Sequence, residues 1–166
     1  MLFRSELRVG EVILFDFGAQ VAGYRSDMTR TLFVGEPTAE HAALYAAVHR
    51  GQAATIDLLR LAVEQGGPLP SGRACDAAAR AAMAEAPRVY EHGLGHGIGL
   101  QTHESPSLSR GASDDALPSP TVFSVEPGIY VQDEIGIRIE DLVAVNTAEK
   151  SLRILTQFPA EPLIVS

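Results

Sequence analysis

Four carboxylates stand in or beside apolar, β-prone runs of this chain: Asp16 in EVILFDFGA, Asp27 ahead of MTRTLFV, Glu126 in FSVEPGIY and Glu140 in GIRIED. An unpaired charge is costly to bury. Each such group is normally neutralised by a proton, an ion pair or a cation. Few basic residues lie close to them in sequence, so a pair of divalent metal ions is the economical explanation. A fifth group, His96 in HGLGHGIG, supplies the imidazole nitrogen that such a site uses.

Residues 11–19 and 28–34 read as strands, and the segment between them, with Gly18 and Gly23, signals a hairpin. A second hairpin is expected from 121–131 and 135–145, followed by a last strand at 152–157. A first turn centred between Val21 and Ala22 places Asp16 opposite Asp27. A second turn centred near Asp133 places Glu126 opposite Glu140. Facing Cβ atoms are then about 4.5–5.5 Å apart, where like charges are destabilising unless something bridges them. Arg138 shares a face with Glu140 by two-residue alternation and is expected to orient a carboxylate rather than bind metal. Arg30 falls off the Asp27 face and is expected to be a structural ion-pair partner.

Thr38 offers an N-cap to an Ala/Leu-rich helix over 39–65 that ends at Gly66-Gly67. Ser71 caps a second helix over 73–85, stopped by Pro87. Glycines 93, 95, 97 and 99 flank His96 and argue against a helix there. His92 and His96 are therefore not the paired ligands of a helical zinc site, which also needs Glu where Gly93 stands. The glycine spacing does not match a dinucleotide fingerprint either. His103 is placed to reach the same site from the end of a following strand. Residues 105–120, rich in Ser, Pro and Asp, are expected to form an exposed loop. Four carboxylates and one imidazole favour manganese, cobalt, iron or zinc over calcium. A lone carboxylate or histidine is ordinarily ion-paired or structural, which is how His41 and His49 in the long helix are read; five groups in facing strand positions are not.

The length fits one domain with a real core. A net charge of −8 argues against nucleic acid and anionic membrane surfaces as partners. The single cysteine, Cys75, excludes an internal disulfide and is expected to be buried on a helix. The opening residues lack a signal-peptide pattern, and no run approaches a membrane span. A soluble cytoplasmic protein is expected.

The segments DFGAQVAGYRSDMTRT, HGLGHGIGLQTHE, VFSVEPGIYV and GIRIEDLVAV run from residue 16 to 145. Together they resemble the catalytic domain of the M24 metallopeptidases, within it the Xaa-Pro aminopeptidase and prolidase branch. Methionine aminopeptidases share the five ligands but typically carry glutamine where Arg138 stands, and lack YRSDMTRT. The resemblance implies an α+β pita-bread fold, an antiparallel curved sheet with covering helices. It also implies two divalent metal ions, manganese ahead of cobalt or zinc. Asp16 would chelate the first, Asp27 and Glu140 would bridge both, and His96 and Glu126 would complete the second. Water activated by the pair would attack the scissile carbonyl, and Glu126 would carry its proton to the leaving amine. His103 would stabilise the oxyanion and His92 would contact the substrate on the prime side.

The implied substrate is a dipeptide or short peptide with proline after its first residue. A non-catalytic fragment or peptide-binding module on the same fold is the alternative, against which the retention of all five ligands weighs. A creatinase-like hydrolase would lack the metal carboxylates. Only fifteen residues precede Asp16, so residues 1–166 are expected to be a single M24-type catalytic domain lacking its N-terminal part. Its sheet should then expose an edge and an apolar face, and a homodimer is expected.

Overall fold

Strand β1 (Val12–Phe17) pairs antiparallel with β4 (Met28–Val34), and between them lies a small hairpin of β2 (Gln20–Val21) and β3 (Tyr24–Arg25). The computed structural model describes residues 6–86 and 89–165. The hairpin turns at Ala22-Gly23, both with positive φ, as a two-residue type I′ turn requires. That turn lies one residue later than expected, which moves every partner by two. Asp16 therefore faces Thr29, not Asp27. Asp27, two residues ahead of Thr29, is left diagonal to Asp16 on the same face.

Helix α1 (Ala39–Gln65) keeps the expected bounds: the Thr38 side chain accepts from the His41 amide, and Gly66 ends it at φ 67°. Helix α2 (Gly72–Ala82) starts at the Ser71 cap but ends three residues short of the expected 85, with Met83 as its C-cap. Pro87, the expected terminator, lies outside the described residues. Leu44, Val48, Ile56, Leu59 and Val63 recur along one face of α1 and join Phe123, Val125, Ile137 and Ile139 in one core. Cys75 is buried on α2, as expected, and burial pushes its thiol up to about 12.

The remaining strands are β5 (Gly95–Gly97), β6 (Glu104–Leu108), β7 (Thr121–Val125), β8 (Gly128–Val131), β9 (Ile135–Arg138), β10 (Asp141–Asn146), β11 (Ser151–Ile154) and β12 (Leu163–Val165). One sheet runs β11-β10-β7-β5-β6 and another β1-β4-β12. Strand β6 occupies the start of the segment expected as a loop. Strand β12, parallel to β4, had no counterpart in the expectation. The second hairpin is interrupted on both sides, at Glu126-Pro127 and at Ile139-Glu140; Pro127 has no N–H to give to a ladder. The register nevertheless continues across the break, from Gly128↔Arg138 to Val125↔Asp141. Glu126 and Glu140 thus hold facing positions, as the count about Asp133 requires.

At this break Glu140 bridges to β4 instead: its amide donates to the Thr29 carbonyl at 3.1 Å. That contact brings the two carboxylate-bearing hairpins together. Among the described residues β1 pairs only with β4, and Phe15 and Phe17 on it are half exposed.

Close backbone approach fixes the His96 strand. A Cβ on Gly95 would meet the Ser124 carbonyl oxygen at 1.9 Å, whereas one on Gly67 would meet nothing within 4 Å. Gly95→Ala is expected to lower unfolding free energy by at least about 2 kcal/mol, and Gly67→Ala to stay within about 0.5 kcal/mol of wild type. Denaturant midpoints of the two variants check this.

Candidate metal centre

Three of the five expected ligands converge. Asp27 just before β4, His96 in β5 and Glu140 between β9 and β10 each direct one ligand atom to a common point, all within 4.8 Å of one another. Glu140 is 2% exposed, and the Thr29 hydroxyl donates to its Oε2 at 2.6 Å. The His96 Nδ1 stands 3.1 Å from the Gly97 carbonyl oxygen and donates its proton there, which leaves Nε2 as the ligating atom. Glu126 Oε1 lies 3.2 Å from that Nε2. Ser124 ties the pair together, accepting from the His96 amide at 3.1 Å and donating to Glu126 Oε1 at 3.0 Å.

Asp16 stands at the rim, half exposed, with its carboxylate paired to the Arg138 Nη2. Arg138 also donates from Nε to Thr29 Oγ1 at 3.0 Å and from Nη1 to the Tyr130 hydroxyl at 3.1 Å. Its Nε lies 4.0 Å from Glu126 Oε2. Arg138 therefore borders Asp16 and Glu126, and reaches Glu140, the carboxylate expected on its face, only through the Thr29 hydroxyl. A polar cleft of about 440 Å³ opens above, lined by Asp16, His92, His96, His103, Glu126 and Arg138.

His103 lies in the bend ahead of β6 rather than at a strand end, with its ring centroid 4.2 Å from that of His96. His92 gives its Nδ1 proton to the Gly93 carbonyl at 2.6 Å, and its Nε2 lies 3.1 Å from the Tyr130 hydroxyl. A larger apolar groove of about 570 Å³ adjoins at Asp27, over Met28, Ile98, Val122 and Leu142. Arg30 is ion-paired to Asp141 at 2.6 Å, as expected. His41 and His49 lie on α1 and line neither space.

Thr29, Ser124 and Tyr130 were not singled out from the sequence. The signal was present for the first two, since each stands two residues from a candidate ligand and so on its face.

The electrostatics mark a site that binds protons strongly. Burial, then the charge of Glu126, pushes Glu140 up to about 8. Burial, then Asp16, raises Asp27. Burial opposes the charge of His96, yet its hydrogen bonds to Glu126 and Gly97 and the nearby Glu140 carry it up to about 9. Such a donor set of carboxylates and one imidazole suits a divalent cation, which neutralises the same charges without protons.

A family model described as metallopeptidase family M24 matches residues 4–147. The chain is 41% identical over 143 residues to a probable dipeptidase PepE of Mycobacterium tuberculosis, covering 84% of this chain and 36% of that protein. It is 38% identical over 139 residues to an Xaa-Pro dipeptidase of Lactobacillus delbrueckii subsp. lactis, covering 82% and 36%. Among solved structures, the X-Pro aminopeptidase from Thermotoga maritima MSB8 aligns with a TM-score of 0.81 at 35% identity, over 94% of this chain and 42% of that one. The chain spans about two fifths of the length of the proteins it matches.

Glu140, Asp27 and His96 all hold protons more tightly folded than unfolded. Their contribution to stability is complete at low pH. It is lost as pH rises, between the usual carboxylate range and about 8 for Glu140 and between 6.5 and about 9 for His96. The metal-free chain is expected to melt at lower temperature at pH 9 than at pH 6. Added Mn²⁺ should raise the melting temperature more at pH 9, because binding displaces those protons. Calorimetric scans across this range, with and without metal, check both signs.

Proposed function

The chain belongs to metallopeptidase family M24, and from that membership we propose that it carries the metal centre of a dinuclear exopeptidase hydrolysing the Xaa-Pro bond at the N-terminus of dipeptides or short peptides. Its α+β fold is the pita-bread architecture of the dipeptidase and prolidase structures, at partial coverage. The observation that carries the proposal is the convergence of Asp27, His96 and Glu140 beneath a cleft walled by Asp16 and Glu126. Two divalent ions, manganese ahead of cobalt or zinc, would be held with Asp27 and Glu140 at the centre of the ligand set. Asp16 would hold the first, and His96 with Glu126 the second.

When bound, the ions supply Lewis acidity to the scissile carbonyl and lower the pKa of the attacking water. Everything else falls to side chains. Glu126, with Oε1 held by Ser124, takes the proton from the attacking water and delivers it to the leaving imino nitrogen. Arg138 steadies Asp16 and Thr29 without touching metal. His103, whose ring lies tilted against that of His96 at the cleft, presents a ring N–H to the oxyanion as it forms. His92, held between the Gly93 carbonyl and Tyr130, takes the prime-side contact. A homodimer that covers the β1 edge is part of the same reading.

Mn²⁺-loaded protein is expected to release proline from Xaa-Pro dipeptides or to trim Xaa-Pro tripeptides. Glu126→Ala should lose at least about a hundredfold of that activity, the usual range for a general acid–base. A folded, metal-binding chain with no turnover would favour the peptide-binding reading instead.

A further inference from the structure

On the face of β4 turned away from the metal centre, Arg30 is 2% exposed. Its guanidinium has five N–H donors, and five acceptors meet it. Nη1 donates to the carbonyls of Thr29 at 2.8 Å and Glu140 at 2.7 Å. Nη2 donates to Asp141 Oδ1 at 2.6 Å and to the Phe158 carbonyl at 2.8 Å, and Nε to the Pro159 carbonyl at 2.8 Å. Asp141 Oδ2 accepts from Gln52 Nε2 of α1 at 3.0 Å, and the second N–H of that amide is shared between the Val125 and Ile139 carbonyls at 3.3 and 3.4 Å.

Stability alone does not call for this arrangement, since apolar residues of similar volume often replace a buried ion pair at no cost. What the guanidinium fork does, and an apolar side chain cannot, is tie the peptide carbonyl of Thr29 to that of Glu140. Thr29 follows Asp27 by two residues, and Glu140 is itself a candidate ligand. Their strands meet at an isolated bridge rather than along a ladder. A single backbone hydrogen bond, Glu140 amide to Thr29 carbonyl, joins them there.

We propose that Arg30 is a positioning residue for the metal centre: it sets the separation between the strand that presents Asp27 and the strand that presents Glu140. The proposal rests on the metal-centre reading given above. Lysine cannot substitute, because one compact ammonium cannot span acceptors that lie along both edges of a planar fork.

The test measures Mn²⁺ affinity by titration calorimetry, the visible spectrum of the Co²⁺-loaded protein, and thermal stability. It compares wild type, R30K, the double variant R30M/D141L, and L59V, a stability control in the core far along α1. R30K is expected to bind Mn²⁺ at least about tenfold more weakly, the usual loss when a group supporting a ligand is removed, and to shift the Co²⁺ bands. L59V should lose stability and leave both metal readouts unchanged. R30M/D141L should keep or recover thermal stability while its metal affinity stays low; should R30K fail to fold, this variant carries the comparison.

Wild-type affinity and spectrum in R30K would overturn the proposal while leaving the metal-centre reading intact. Recovery of full metal affinity in the double variant would do the same, because only charge cancellation would then matter. A wild-type chain that takes up neither Mn²⁺ nor Co²⁺ would overturn the metal-centre reading and this proposal together.

Discussion

The contact between Thr29 and Glu140 is the point on which the rest of the site depends. Here the Glu140 amide donates to the Thr29 carbonyl at 3.1 Å and the Thr29 hydroxyl to Glu140 Oε2 at 2.6 Å. Beside it the Thr31 hydroxyl accepts from the Arg138 amide and donates to the Arg138 carbonyl, each at 3.0 Å, and these bonds join two hairpins that otherwise belong to different sheets. Along this junction the carboxylates of residues 16 and 27 meet those of 126 and 140. The interruption of the second hairpin is what makes the contact possible. At Glu126-Pro127 and Ile139-Glu140 the hairpin gives up its own pairing, and the freed Glu140 amide goes to Thr29. A regular ladder through this region would have satisfied that amide internally and held the sheets apart.

Two arginines divide the charge of the site between them. Arg138, on the cleft side, meets the half-exposed Asp16 and the Tyr130 hydroxyl, where water also helps to screen charge. Arg30, on the opposite face, is spent on Asp141 and four peptide carbonyls. Neither one neutralises Glu140, whose own partner is a neutral threonine hydroxyl. Burial, then the charge of Glu126, outweighs the Thr29 hydrogen bond and the more distant Arg138, which is why Glu140 keeps its proton up to about 8.

Much of this was legible in the sequence where the controlling physics is local. Thr38 and Gly66 bound α1 because capping and positive φ are properties of a few adjacent residues. Met28–Val34 reads directly as a strand, and symmetry about Asp133 places Glu126 against Glu140. The Asp16–Asp27 register failed for an equally specific reason. A type I′ turn needs positive φ at both central residues, and Ala22 is a poor residue for that conformation. The stretch V-A-G-Y therefore did not show where the chain reverses. Strand β12 was illegible because its pairing with β4 is parallel and remote. Arg30 was legible as an ion-pair partner, but not as a brace between two strands, because four of its acceptors are peptide carbonyls with no side-chain signature.

The charge count is the argument for proposing two ions and not one. Asp16, Asp27, Glu126 and Glu140 bring four negative charges, Arg138 returns one, and His96 must be neutral to bind through Nε2. One divalent ion leaves the cluster negative, so that a buried carboxylate is still driven to hold a proton. Glu140 is the residue that decides this, because it is buried and lacks a cationic partner, whereas Asp16 has both water and Arg138. Two divalent ions would leave the cluster with a positive surplus and would free Glu140 of its proton. A positive surplus is also the sign that a carbonyl oxygen gaining negative charge requires from its surroundings. The carboxylates that make the cluster hard to ionise by themselves are thus the same groups that would let it hold two cations close together.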